Sequence, residues 1–347
     1  MVLHALEDLD DAFAVTRAFV TSLDRSSWLK LALVVLFVSG PGLNFASAQY
    51  SVPGGDGSGN GAPVSVTAQD LWIIAGVVLV AVALALVFLF VGSVFEFVFL
   101  ESLRTEKVRI RSYWADNWRR GLRLFGFRLV LALLVLGVVA LAAVSVYLLA
   151  TGTEATGSGV AIVAFVLALV PLFVVFAVIV SVVNGLTTVF VAPIMLLEER
   201  GVLAGWRRLW GTIPPNWTQY LAYVVSGAIL SMVGGVLVAL AVGVAALVLL
   251  LPFGLGFAVG VGLFLVWEPV GLGVIALVAA VFAVVLVVVA AVVQVPVQSY
   301  LRYYALLVLG DVVPELDLIP DQREAVRADA AATDESGEPP APGESPY

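Results

Sequence analysis

Cysteine is absent from the 347 residues, His4 is the only histidine, and lysine occurs twice, at Lys30 and Lys107. Without cysteine there is no disulfide, no thiolate metal site and no cysteine nucleophile, and one histidine leaves zinc and haem without a ligand set. Charge is scarce too: Asp, Glu, Lys and Arg make up 12% of the chain against 62% hydrophobic residues, where a soluble domain carries ~25% charge. Most of this chain therefore cannot face water. No nucleophile–base pair, HExxH or Walker sequence occurs, and the Gly-x-Gly pairs at Gly254 and Gly260 follow no strand, so they are not phosphate loops. The sequence reads as non-enzymatic, with no cofactor and no metal.

What is present is apolar length. Six runs stand out: 28–45, 71–100, 124–150, 160–197, 217–251 and 271–309. Most exceed the ~20 residues that cross ~30 Å of hydrocarbon. The expected fold is all-α, a polytopic transmembrane bundle of about six spans occupying 28–310. A cytoplasmic amphipathic segment (1–27) precedes it and an acidic tail (311–347) follows. That tail holds ten acids against Arg323 and Arg327. With few large apolar side chains it reads as mostly disordered, and its sign argues against nucleic acid.

Orientation comes from the basic residues. All seventeen lie at the N-terminus, in the second and fourth connections or the helix ends beside them, and at the C-terminal end. The first, third and fifth connections have none. The positive-inside rule then places both termini in the cytoplasm of a multi-pass cell-membrane protein. Ala46-Ser47-Ala48 has the small-x-small spacing of a signal-peptidase site, but 27 residues with five acids precede the run, unlike a short basic leader. The glycine-rich stretch 252–266 is short for a span, and a seventh crossing would put Arg302 outside, so it reads as an outer-leaflet or re-entrant segment.

An internal repeat organises the runs. Long helices run into acids (Glu96 and Glu101, Glu198 and Glu199, Asp311 and Glu315). A basic-aromatic segment follows, then Asn-Trp, as Asn117-Trp118 and again as Asn216-Trp217. Arg17 before Trp28 looks like a degenerate third copy. Three helix hairpins in tandem, each entering from the same side, account for the pattern. Proline and Asn-Gly make Pro171, Asn184-Gly185 and Pro193 the expected bending points of the fourth run.

In the second connection Ile110, Trp114, Trp118 and Leu122 recur every four residues, with Arg109, Arg119, Arg120 and Arg123 largely opposite. The fourth connection repeats this with Leu203, Trp206, Trp210 and Ile213 beside Arg207 and Arg208. Such segments are interfacial amphipathic helices, which either anchor helix ends or read anionic headgroups or a partner. Within the spans Glu96 is the most embedded acid, and Arg128 at the start of the next helix is positioned to pair with it. Asn184 and Gln294 are candidate intramembrane polar groups. Gly227, Ser231, Gly235, Ala239 and Gly243 form a small-residue face suited to close helix packing, within the chain or in a homo-oligomer.

The opening Asp10-Asp11-Ala-Phe-Ala-Val-Thr-Arg17 and Trp28-Leu-Lys30-Leu-Ala-Leu resemble those of uncharacterised multi-pass membrane proteins of haloarchaea, over about residues 8–320. The hairpin layout is more distantly similar to the membrane domain fused to some glycerophosphodiester phosphodiesterases. The resemblance implies a membrane fold and no catalytic residues. The functional expectation is a scaffold, partner-binding or lipid-interacting protein, with a transporter or channel component as the alternative.

Overall fold

The computed structural model describes residues 4–39, 68–152 and 158–337. Its elements in chain order are α1 (His4–Ser22), α2 (Arg25–Val38), α3 (Ala68–Thr105), α4 (Ile110–Gly152) and α5 (Ser158–Leu186). A π-helical segment (Thr187–Val191) leads into α6 (Ala192–Leu197), followed by α7 (Val202–Thr212), α8 (Trp217–Val266) and α9 (Glu268–Val312). A 3₁₀ turn (Pro314–Leu316) and α10 (Pro320–Gly337) complete it, and no strand occurs among the described residues.

Among the described residues five helices are long and apolar enough to cross a membrane: α3, α4, α5 with its continuation to Leu197, α8 and α9. The first apolar run is not among them. Its described part is α2, 14 residues long, short of the ~20 needed, and 40–45 lie outside the described residues. Asp24 starts α2 by accepting from the backbone N–H groups of Ser26 and Ser27 at 3.2 Å. Its hydrogen bonds with Ser27 hold the carboxyl below its ordinary pKa.

Three boundaries differ from the sequence reading. The second connection is not a separate interfacial helix, because α4 runs unbroken from Ile110 through the third apolar run. Its counterpart is split into α7 and α8 by Pro214 and Pro215, which lack the N–H groups a continuous helix needs. The stretch 252–266 is the second half of α8 and not a re-entrant segment. Packed, helical structure does not stop at 310: Leu316, Leu318 and Ile319 are buried, and α10 follows.

The described parts fall into two compact units, one drawn from Met1–Ser39, Phe99–Ile110 and Gly211–Tyr347, the other from Gly40–Val98 and Arg111–Trp210. In the first, α8 and α9 form an antiparallel hairpin turning at Trp267. Glycines set its spacing. A Cβ on Gly234 would come 2.6 Å from Val297 and one on Gly260 2.7 Å from Ile275, while at Gly271 it would overlap the Phe264 backbone. Phe253 and Phe257 meet Phe282 between these contacts. Helices α1 and α2 pack on α9; Phe19 meets Tyr303 edge-on at 5.8 Å, and the Tyr303 hydroxyl donates to the Leu103 carbonyl at 3.0 Å.

In the second unit the core gathers Val94, Phe97 and Val98 of α3, Leu124 of α4 and the buried run from Phe190 to Leu196. The most apolar stretches of α3, α4 and α5 bury none of their residues, and those of α8 and α9 bury 6%. Apolar surface on that scale calls for an apolar solvent.

Candidate functional site

The basic-aromatic start of α4 does not present one apolar face. Residues four apart on an α-helix drift by about 40° per step, so Ile110 and Leu122, three steps apart, diverge by about 120°. Trp114 turns inward, edge-on to Phe95 at 5.3 Å and Phe90 at 6.2 Å. Trp118 turns outward at 43% exposure, and the Arg119 guanidinium lies 5.6 Å from its ring centre. Leu122 and Arg123 are exposed beside them, and Arg109 is exposed just before the helix. Arg120 instead turns in, donating to Asn117 Oδ1 and pairing with Glu199 Oε1 at 2.7 Å. Gly121 permits the close approach: a Cβ there would sit 2.7 Å from Val94 Cα.

Helix α7 is built the same way. Val202, Gly205 and Leu209 are buried, and a Cβ on Gly205 would lie 2.8 Å from Val191 of the π segment. Trp206 turns inward, its indole N–H donating to Thr187 Oγ1 at 3.0 Å. Leu203, Arg207 and Trp210 form the outward stripe, with Leu203 76% and Trp210 66% exposed. Arg208 pairs with Glu198 at 3.4 Å. Of the four aromatics singled out in the sequence, two are structural and two face outward.

The Asn-Trp pairs repeat a local geometry. Asn117 Nδ2 donates to the Tyr113 carbonyl at 3.1 Å and Asn216 Nδ2 to the Thr212 carbonyl at 3.3 Å, each four residues back. The preceding connections also match. Glu106 and Glu199, just beyond the ends of α3 and α6, have φ of 54° and 55°. This left-handed conformation, usual for glycine after a helix, turns the chain.

Glu96 is fully buried, and the pairing expected with Arg128 is present at 3.4 Å. Arg128 also donates to Thr188 Oγ1 at 2.9 Å and Ser93 Oγ at 3.5 Å. Thr188 belongs to the π segment, which begins three residues after Asn184 and ends two before Pro193. Proline supplies no N–H and its ring crowds the carbonyl four residues back, so the wider π turn absorbs the distortion and presents Thr188 to the arginine. Asn184 is exposed and contributes its carbonyl, which accepts from Thr188. Gln294 is buried in the other unit with its Oε1 lacking a hydrogen-bond partner.

The small-residue face lies elsewhere than the packing face. Ser231, Gly235, Ala239 and Gly243 are exposed, nothing described lies within 4 Å of a Cβ on Gly235 or Gly243, and Gly227 meets only Tyr223 one turn back. Packing on α9 uses Gly234 and Val238, one position before the members of that stripe.

One cluster was not singled out in the sequence. Arg327 of α10 reaches Asp8 at 3.2 Å, Asp11 at 3.0 Å and Asp311 at 2.7 Å, while Arg323 bridges Asp311 at 3.0 Å and Asp317 at 3.2 Å. Arg323 lies directly against Gly310, where a Cβ would occupy the position of its guanidinium. The readable signal was two arginines one helical turn apart in an otherwise acidic tail, with a glycine beside Asp311. Burial, and after it the neighbouring Asp311 carboxylate, raise the Asp8 pKa to about 8 against the lowering effect of Arg327 and Arg323.

The described residues are helical without strands, and their five long apolar helices are compatible with a membrane-embedded protein. It belongs to a family of unknown function, DUF7544, whose model matches residues 3–319. No curated protein and no solved structure matches the chain.

Proposed function

We propose that the chain is a multi-pass cell-membrane protein of about six spans in three tandem hairpins, with both termini cytoplasmic. It acts without catalysis, binding anionic lipid headgroups through the outward stripes of α4 and α7. The observation that carries this reading is the exposure of Leu203 and Trp210 on the same stripe as Arg207, matched on α4 by Trp118 and Leu122 beside Arg119 and Arg123. Apolar and aromatic groups interleaved with guanidinium suit the acyl–headgroup boundary, where Trp partitions and Arg meets phosphate. Each arginine contributes about 1 kcal/mol near an anionic surface, so three together set an upper bound of about 3 kcal/mol.

The test replaces Arg119, Arg123 and Arg207 by Gln and leaves the paired Arg120 and Arg208 intact. The purified variant should keep its melting temperature and lose most of its co-purifying anionic lipid; unchanged lipid content rejects the reading. A transporter component is the second reading, supported by the buried Glu96–Arg128 pair beside a π segment. It predicts a flux in proteoliposomes that Glu96→Gln abolishes and the arginine variant does not.

A further inference from the structure

Helix α1 is held by two different kinds of contact. Ala12, Val15 and Phe19 are buried and bind it by apolar packing. One turn before Ala12, Asp8 is also fully buried, although it is a carboxylate. From α9, Asp311 and Tyr304 face it; from α10, Arg327 and Arg323; on its own helix, Asp11 shares Arg327 with it. Tyr223 of α8 stacks on Tyr304, with Arg302 of α9 beside it, and Tyr300 of α9 donates to the Leu9 carbonyl.

Within that ring the charges do not balance. Arg327 Nη2 touches both Asp8 Oδ1 and Asp311 Oδ2, so the two carboxylates are neighbours sharing one cation that also serves Asp11. Asp8 Oδ2 is buried and lacks a hydrogen-bond partner. A bare carboxylate oxygen in that position is costly, and a proton on Asp8, donated to Asp311, removes both the orphan and the repulsion.

We propose that α1 is a proton-held latch, clamped against α9 and α10 while the Asp8 carboxyl is protonated and loosened when it ionises. Release brings Asp8 into water. The sign follows from linkage: in the clamped state the Asp8 pKa is about 8, against an ordinary 3.8. The clamped state therefore holds a proton that the released state gives up, and clamping weakens as pH rises from about 4 to about 8. The carboxylates, with Gly310, lie within the residues matched by the family model, whereas α10, which supplies both arginines, begins at its end.

Hydrogen exchange of the α1 amides in the full-length protein tests this, at pH 5.5 and 8.5 with rates normalised to the intrinsic exchange rate. A parallel His4→Gln chain removes the only histidine as a source of the change. α1 protection should fall by about tenfold or more at the higher pH, while the α9 amides from Tyr303 to Leu309 stay protected. Asp8→Asn, neutral at both pH values and able to donate to Asp311, should keep α1 protected throughout. The proposal is overturned if wild-type α1 protection is the same at both pH values. It is equally overturned if α9 loosens in step with α1, if His4→Gln removes the change, or if Asp8→Asn loosens like the wild type. Should Asp8→Asn not assemble, the wild-type and His4→Gln profiles decide alone.

Discussion

Arg120 and Glu199 join two connections 79 residues apart: Arg120 Nη2 lies 2.7 Å from Glu199 Oε1, and Glu199 holds this position with φ at 55°. The two effects at Glu199 oppose each other. Its carboxylate is 78% exposed, so the ion pair is worth about 1 kcal/mol at most, while left-handed backbone costs a non-glycine residue about 1–2 kcal/mol. Glu199→Gly should therefore leave the melting temperature unchanged or raise it. Glu199→Ala, which loses the pair and keeps the strain, should lower it, and a Gly variant less stable than the Ala variant would contradict this account.

How far the sequence was legible depends on the range of the contact. Helix type and the Glu96–Arg128 pair follow from local pattern, because apolar length and the positions flanking one hairpin suffice. Facing directions were not legible at four-residue spacing: Trp114 and Trp118 looked equivalent, yet the first packs on Phe95 and the second is exposed. The docking of α10 was hidden for another reason. Net charge treats the tail as one acidic object, whereas Arg323 and Arg327 act at single positions on carboxylates up to 319 residues away in sequence.

Gly234 and Gly235 separate packing inside the hairpin from surface. Gly234→Leu must displace Val297, whose Cγ1 would lie 2.6 Å from the new Cβ. A loss of roughly 1–3 kcal/mol is expected from overpacking, seen as a lower melting temperature in detergent. Gly235→Leu meets nothing described within 4 Å and should melt like the parent. If Gly235→Leu instead lowers the apparent molecular mass, the small-residue face joins two copies.

Orientation can be read by labelling, since there is no native cysteine. Ser112→Cys lies among the arginines at the start of α4, and Glu268→Cys at the exposed turn between α8 and α9. With the basic segments cytoplasmic, an impermeant maleimide should modify position 268 in intact cells and position 112 only after permeabilisation. The opposite pattern would invert the topology.

The Glu96–Arg128 pair decides between a strut and a pathway. Glu96 is fully buried and the Arg128 side chain 13% exposed, so removing one partner strands a charge where water does not reach it. Arg128→Met should cost about 3–5 kcal/mol. Adding Glu96→Gln to that chain removes the stranded charge and should recover a large part of the loss, because the double variant leaves only neutral groups beside Ser93 and Thr188. A double-mutant cycle on melting temperature measures this coupling directly. A strut shows strong coupling and no flux in proteoliposomes from any of the four proteins. A pathway shows flux in the parent that Glu96→Gln alone abolishes while its melting temperature stays near the parent's. The second outcome would make the carboxylate at the π segment the working group and reduce the arginine-tryptophan stripes to anchors.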